Sequence, residues 1–249
     1  MSQTVTSRGT GSGTEPIVPL PGKAYRGLAM EGSVARWYTR TRGSDEQIRA
    51  WTAQAAELTR DLRPGDAILE VAPGPGYFSV ALARAGEFRV AAVDISRTFV
   101  GIVADRARAA GVRIDLRLGD AAALPFPEGA FDLVVCQAAF KNFSRPQAAI
   151  NDMFRVLRPG GLAWIEDMRH DVTDAALRQE VRAMHLTRGR GWMTYHALKG
   201  LRNRAYTSAE FDAFARQSPF GNCRINFTPI GLEVRLRRSS AADPPETAA

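Results

Sequence analysis

Histidine and lysine are scarce in this 249-residue chain: it has three histidines, and only Lys23, Lys141 and Lys199 are lysines among 33 basic residues. So few histidines, with no HExxH or related spacing, argue against a metal centre. Cysteine is scarcer still. Cys136 and Cys223 stand alone without a C-x-x-C pair, which argues against a disulfide framework or zinc ribbon and suits a reduced, cytoplasmic protein. No apolar run approaches the roughly 18 residues of a membrane span. Residues 1–14, MSQTVTSRGTGSGT, lack the apolar centre of a signal peptide and read as a disordered tail, as do residues 239–249.

What is present suffices for one full core: 45% of residues are hydrophobic and 24% charged. One domain, residues 15–238, is expected. Inside it, strand and helix alternate with crossovers long enough for parallel pairing. Ile68, Leu69 and Val71 mark a first strand, and residues 77–85 a helix. FRVAAVD (88–94) is a second strand, followed by a helix over 98–110 that Gly111 stops. RIDLRL (113–118) alternates as a third strand, and FDLVVC (131–136) is a fourth. Ser144 is the expected cap of a helix opening near Pro146, with Ile150, Met153, Phe154 and Leu157 on one face and RPGG as its stop. LAWIEDM (162–168) is a fifth strand. NCRINFTPI and GLEVRLRR meet at Gly231, an antiparallel pair. Ahead of the sheet, Ser44 and Gln47 form a capping box opening a helix with Ile48, Trp51, Ala55, Leu58 and Leu62 on one side.

The chemistry concentrates in ILEVAPGPGYFS (68–79), a strand, tight loop and helix start of the kind that receives nucleotide-like ligands. Gly74 and Gly76 fit the dinucleotide fingerprint, Ser79 takes the third glycine position, and Asp94 follows about 20 residues on. A phosphate cradle, however, aims backbone N–H groups at anionic oxygens, and Pro73 and Pro75 have none. A cationic ligand suits the loop better, because Glu70 stands where strand gives way to loop. S-adenosylmethionine, with an ammonium, a sulfonium and no phosphate, is such a ligand.

ILEVAPGPG resembles the first motif of the class I S-adenosylmethionine-dependent methyltransferases, with Glu70, Gly74 and Gly76 in place and Ala72 where the family has glycine. The resemblance runs over roughly residues 30–238. It implies a doubly wound, Rossmann-like α/β sheet, mostly parallel with an antiparallel C-terminal hairpin. It also implies that Asp94, followed by Ile95, receives the ribose hydroxyls, and that Asp120, followed by Ala121, accepts from the adenine amino group. FDLVVCQAAF and RVLRPGGLAWI resemble the fourth-strand motif, ending in Gln137 at the cofactor, and the turn before the fifth strand. In similar enzymes an N-terminal arm, here residues 15–62, folds over the cofactor's methionine end. Tyr38 beside Trp37 is the candidate, with simple anchoring of the arm as the alternative.

Substrate contacts are expected in two places. The loop QAAFKNFSR offers Phe140, Lys141 and Asn142. It has neither the Asn-Pro-Pro-aromatic signature of base-amino methyltransferases nor a Pro-Cys nucleophile, and Cys136 reads as a core residue. The second place is a helical insertion, residues 169–206, expected as a two-helix lid with Tyr195 and His196 at the substrate. Its eight basic residues face only Asp171, Asp174 and Glu180, so it carries most of the formal net charge of +7. That favours an anionic substrate or a nucleic acid, unless the charge only solvates a helix face. His170, just past the fifth strand, is the candidate general base, with a plain surface histidine as the other reading. The resulting expectation is a methyltransferase acting on a small, acidic or natural-product-like molecule, without a metal, membrane or nucleic-acid partner. An RNA methyltransferase and a non-transferring S-adenosylmethionine binder are the alternatives.

Overall fold

The computed structural model describes residues 30–240. The expected N-terminal tail, the start of the arm and most of the C-terminal tail lie outside them. Two helices, α1 (Gly32–Arg40) and α2 (Asp45–Leu58), precede β1 (Ala67–Val71), α3 (Tyr77–Arg84), β2 (Arg89–Asp94), α4 (Arg97–Ala110) and β3 (Asp115–Leu118). Then follow β4 (Phe131–Gln137), a 3-10 turn at Phe140–Asn142, α5 (Pro146–Val156) and β5 (Leu157–Met168). The insertion forms α6 (Asp174–Ala183) and α7 (Arg188–Arg202). The chain closes with α8 (Ser208–Arg216), β6 (Arg224–Phe227) and β7 (Gly231–Arg237).

The seven strands lie in the order β3-β2-β1-β4-β5-β7-β6. The first five pair in parallel, and β7 runs antiparallel to both β5 and β6. The parallel pairing is as the alternation of strands and helices predicts, and the doubly wound order is as the resemblance implies. The winding reverses between β1 and β4, and ligands bind at such a reversal, beyond the carboxyl ends of the strands.

Both faces of the sheet are covered, so its strands are apolar almost throughout. Because side chains alternate, Leu69, Val71, Val134 and Cys136 join the face under α5 and α8, while Ile68, Leu133, Val135 and Trp164 face α2 and α3. Each large buried side chain contributes about 1.5–3 kcal/mol. Trp164 also donates its indole N–H to Glu233 across the β5–β7 pair, at 2.6 Å.

Local signals worked where capping chemistry was explicit. The Ser44/Gln47 box forms, and Ala55, Leu58 and Trp51 turn toward the sheet. Three expectations need correction. The α5 cap is Arg145, not Ser144, with Pro146 at the first helical position. RPGG stops α5 but does not stand outside the sheet: Leu157 already pairs with Phe131, and a register shift absorbs the extra residues before Leu162 meets Leu133. Finally, α8 was not expected, although Thr207 and Glu210 form its capping box in plain sequence.

Gly76 sets the angle between β1 and α3. It caps α3 at φ 76°, and a Cβ there would lie 2.7 Å from a methyl of Val103 on α4. Gly76→Ala should therefore lower stability by about 1–3 kcal/mol. Combining it with Val103→Ala relieves the clash but not the backbone strain, so chemical denaturation should show the double variant losing less than the sum of the singles.

Candidate functional site

The loop between β1 and α3 lies at the reversal of winding, and its hydrogen bonds are nearly all internal. Ala72 N donates to Val93 O at 2.8 Å, Gly74 N to Asp94 Oδ2 at 3.2 Å, and Gly76 N to Pro73 O at 3.0 Å. Pro73 and Pro75 carry no N–H. Within residues 72–76 every amide is thus absent or engaged, leaving none for a phosphate. Arg106 holds the far side, donating to Pro75 O at 2.8 Å while its guanidinium lies 3.5 Å from the Tyr77 ring centre. Ala72 sits at φ 59°, the left-handed conformation for which the family uses glycine. A Cβ added at Gly74 would meet nothing within 4 Å, so the loop crest is open.

Two carboxyl groups are buried beneath this crest. Glu70 is on the α3 face of β1, and Ser79 donates a short hydrogen bond to it. Burial pushes Glu70 up to about 7, against the Ser79 bond and with help from the charge of Asp94. Asp94 ends β2 and accepts from Ser96 N at 2.8 Å as well as from Gly74 N. Burial raises it to about 6. Its neighbour Ile95 is half-buried at the start of the next turn. Glu31, which the sequence reading did not single out, accepts from Arg97 N and from Thr98 N at the amino end of α4. Partial burial works against it, but these bonds hold its carboxyl below the usual range. The effect is to pin α1 to the β2–α4 corner. Tyr38 stacks edge-on to Phe99 at 6.3 Å, which places it against the first turn of α4, whereas Trp37 is 61% exposed. Trp51 of α2 stacks on Tyr77, 5.3 Å between ring centres, so the arm also crosses the start of α3.

Asp120 is buried past β3. Ala122 N donates to its Oδ1 at 2.9 Å, and Arg145 pairs with its Oδ2 at 2.7 Å. Ala121 beside it is half-buried against the core. A carboxylate has about four acceptor positions, so both Asp94 and Asp120 retain capacity for a ligand.

On the other side of the reversal, at the ends of β4 and β5, lies a group found only in part from sequence. Gln137 donates to Gln54 Oε1 at 2.6 Å and to Glu166 Oε2 at 2.9 Å, and Gln54 donates to the same Glu166 oxygen at 2.8 Å. Glu166 is half-buried on the α2 face. Its signal was the alternation in LAWIEDM, which puts Glu166 and Asp167 on opposite faces. Asp167 is buried and pairs with Lys141 Nζ at 2.7 Å, accepting also from Lys141 N at 2.8 Å. The lysine, expected at the substrate, is therefore a buried brace for the loop after β4. It also donates to the carbonyl of Ala138, another non-glycine residue at positive φ, 55°. Phe140 is fully buried among Phe143, Tyr206, Phe211 and Phe214. Asn142 beside it is half-buried and has an unpartnered Oδ1. Cys136 is wholly buried, and burial keeps its thiol well above the ordinary range.

His170 is exposed, with Nδ1 3.0 Å from Arg202 O and its backbone N–H donated to Tyr206 O. Its ring thus ties the base of α7, beside a hollow of about 200 Å³ lined by Asn203, Arg204 and Glu210. Tyr195 faces α6 under Arg178, while His196 is exposed beside Trp192. A larger hollow, about 440 Å³, lies at Arg36, Thr39, Arg40 and Ile102 between α1 and α4. It presents no carboxylate, so the chemistry is better located by the strand ends than by cavity size.

Comparison with known proteins agrees with this geometry. Residues 68–161 match a family described as a methyltransferase domain. A demethylmenaquinone methyltransferase of Thermus thermophilus is 36% identical over 112 residues, covering 45% of this chain and 50% of that protein. The chain thus spans about half the length of the curated relatives it matches. Among solved structures, a Methanococcus maripaludis protein provisionally named as an S-adenosyl-L-methionine-dependent methyltransferase superimposes with a TM-score of 0.63 at 16% identity, covering 92% of this chain and all of that one. A methyltransferase from Aquifex aeolicus gives 0.56 at 13% identity, over 79% of this chain and all of that one.

The raised carboxyls have a measurable consequence. Their folded values lie above their unfolded ones, so the folded protein holds more protons between the ordinary carboxylate range and about pH 7, and stability from these groups falls as pH rises through that window. For Glu70 the loss is on the order of 3 kcal/mol. Urea unfolding between about pH 5 and about pH 8 should show Glu70→Gln losing less stability than wild type as pH rises. Equal slopes would mean that Glu70 titrates normally.

Proposed function

We propose that this protein is a class I S-adenosylmethionine-dependent methyltransferase and that it transfers the methyl group of S-adenosylmethionine to a small molecule bearing a phenol or hydroquinone hydroxyl. The cofactor half rests on one observation: a loop with no free amide for phosphate, set over two buried carboxyls that meet no cation among the described residues. In this reading Ala72, Gly74 and Gly76 pass under the methionine portion above Glu70. Asp94 and Ile95 take the ribose, and Asp120 and Ala121 the adenine. Gln137 and Tyr38 complete the walls.

The acceptor then lies beyond the reversal, over the ends of β4 and β5. There Glu166, oriented by Gln54 and Gln137, offers a hydrogen-bond acceptor to a hydroxyl. The name of the Thermus thermophilus relative supports an aromatic, quinone-type acceptor. An anionic substrate fits less well, since it would meet the Glu166 carboxylate.

Methyl transfer is an in-line displacement at a sulfonium that is already activated by its charge. The cofactor supplies the electrophile, and alignment contributes about 7–11 kcal/mol. Glu166 takes the proton of the acceptor hydroxyl, which makes the ring nucleophilic. Bound S-adenosylmethionine would supply a methyl carbon whose bond to sulfur breaks as the bond to the acceptor forms, with the electron pair staying on sulfur. If carbon is the acceptor, the displaced ring proton leaves to water. His170 remains a second base of this reading only if its ring leaves the Arg202 carbonyl.

Calorimetry should show binding of S-adenosylhomocysteine and not of NAD, with Asp94→Ala and Asp120→Ala each weakening it by about 1.5–3 kcal/mol. Tighter binding of NAD would overturn the cofactor reading. With a water-soluble naphthohydroquinone as probe and isotopically labelled S-adenosylmethionine, Glu166→Gln should lower the rate by about 100-fold or more while S-adenosylhomocysteine affinity holds. An undiminished rate removes Glu166 from the mechanism and leaves the cofactor reading standing.

A further inference from the structure

Helix α7 is the one long helix of the described residues that contributes nothing to the core: none of its 15 residues is buried. At about 3.6 residues per turn, Thr194, Tyr195, Leu198 and Arg202 share one side. That side faces α6, where Arg178 covers Tyr195 and Asp174 pairs with Arg202 at 2.6 Å. Gly191 packs there too, since a Cβ on it would lie 3.6 Å from Val181. The opposite side carries Trp192, Met193, His196 and Ala197, with Gly189 and Gly200 between them.

Trp192 is 66% exposed and Met193 64%, the largest exposures among the exposed large apolar side chains, and Met184 at the end of α6 is 42% exposed. No acidic residue occurs in α7. Arg188 and Arg190 flank the apolar side, and Arg182 lies just before Met184. All three are exposed and make no ion pair among the described residues. Of the two acidic residues of α6, Asp174 is held by Arg202 and Lys199, and Glu180 is half-buried in the last turn before Arg182.

An apolar stripe with an indole at its centre, unneutralised arginines at its margins and no carboxylate is the composition of a helix that lies in a membrane interface. Nucleic acid would use the arginines but gives no account of Met193, Met184 and Ala197. A protein groove would account for the apolar stripe but not for three unpaired arginines around it. No helix among the described residues is long and apolar enough to cross a membrane, so the contact is with a surface. We propose that the outer face of α7 docks on an anionic lipid bilayer, with Trp192 and Met193 entering the headgroup layer and Arg182, Arg188 and Arg190 on its phosphates. The insertion leaves the sheet at the carboxyl end of β5, so docking would bring the mouth of the site toward the bilayer. The docking itself does not depend on methyl transfer.

The test is flotation of the full chain with vesicles of phosphatidylcholine alone and of equimolar phosphatidylcholine and phosphatidylglycerol. The protein should float with the second and not the first. Replacing Arg182, Arg188 and Arg190 by Gln should lower partitioning by about 100-fold, roughly five-fold for each charge. Trp192→Ser with Met193→Ser should lower it by about ten-fold or more, while Trp192→Phe keeps most of it. All of these side chains are exposed, and the variants should keep the wild-type unfolding temperature; the Phe variant shows whether apolar contact or lost folding is responsible. Failure to float with anionic vesicles overturns the proposal. So does flotation indifferent to Trp192 and Met193, which would mark a diffuse polycation, or preference for single-stranded RNA over anionic vesicles at the same salt.

Discussion

Asp94 holds the β1–β2 side of the structure together. Its carboxylate accepts from Gly74 N in the first loop and from Ser96 N at the cap of α4, and its carbonyl accepts from Gly119 N after β3. One residue at the end of β2 thus fixes the loop after β1, the start of α4 and the turn that presents Asp120. Glu31 extends the same corner outward, engaging the next two amides of α4 and bringing α1 over it. Burying a carboxylate here is unfavourable, which is why its pKa rises to about 6. The backbone bonds it accepts offset part of that cost without neutralising it.

The two sides of the reversal treat their buried acids differently. On the β4–β5 side, Asp167 has a buried lysine in contact, and the pair is closed by the Lys141 and Met168 amides. Such a pair mainly fixes geometry, since desolvation offsets most of its attraction, and the geometry fixed is the loop that turns at Ala138. On the β1–β2 side, Glu70 and Asp94 have no cation in contact among the described residues. An acid that the protein has not neutralised is a place for a ligand to do so. This contrast, more than any cavity, distinguishes the binding side from the bracing side.

Much of this was legible in the sequence because it rests on local chemistry. The first five strands, the terminal hairpin and the Ser44 box each have a local cause, and each is found in the structure. Ser144 misled because Pro146 sets its own helix start. RPGG misled because a turn signal does not say whether the residues around it also pair. Lys141 and Phe140 were placed at a ligand because the loop after β4 is where ligands are met; their burial depends on α8 and on Asp167, partners far apart in sequence. Gln54 and Glu166 were invisible for the same reason, being 112 residues apart. Only the folded sheet brings them to a shared hydrogen bond.

The alanine that stands for a glycine in the first motif also has a physical account. Ala72 in the left-handed region costs about 1–2 kcal/mol relative to glycine, and the bond from Ala72 N to Val93 O holds it there. Pro73 and Pro75 act on the same balance from the unfolded side, since each proline restricts the disordered chain and stabilises a compatible loop by about 0.4–1 kcal/mol. Their combined effect is close to the cost of the alanine. The prolines therefore have two consequences that cannot be separated: they make a strained loop tolerable without a third glycine, and they remove the amides that a phosphate would need. A loop relieved of strain in this way has no free amide left among residues 72–76 to offer a phosphate.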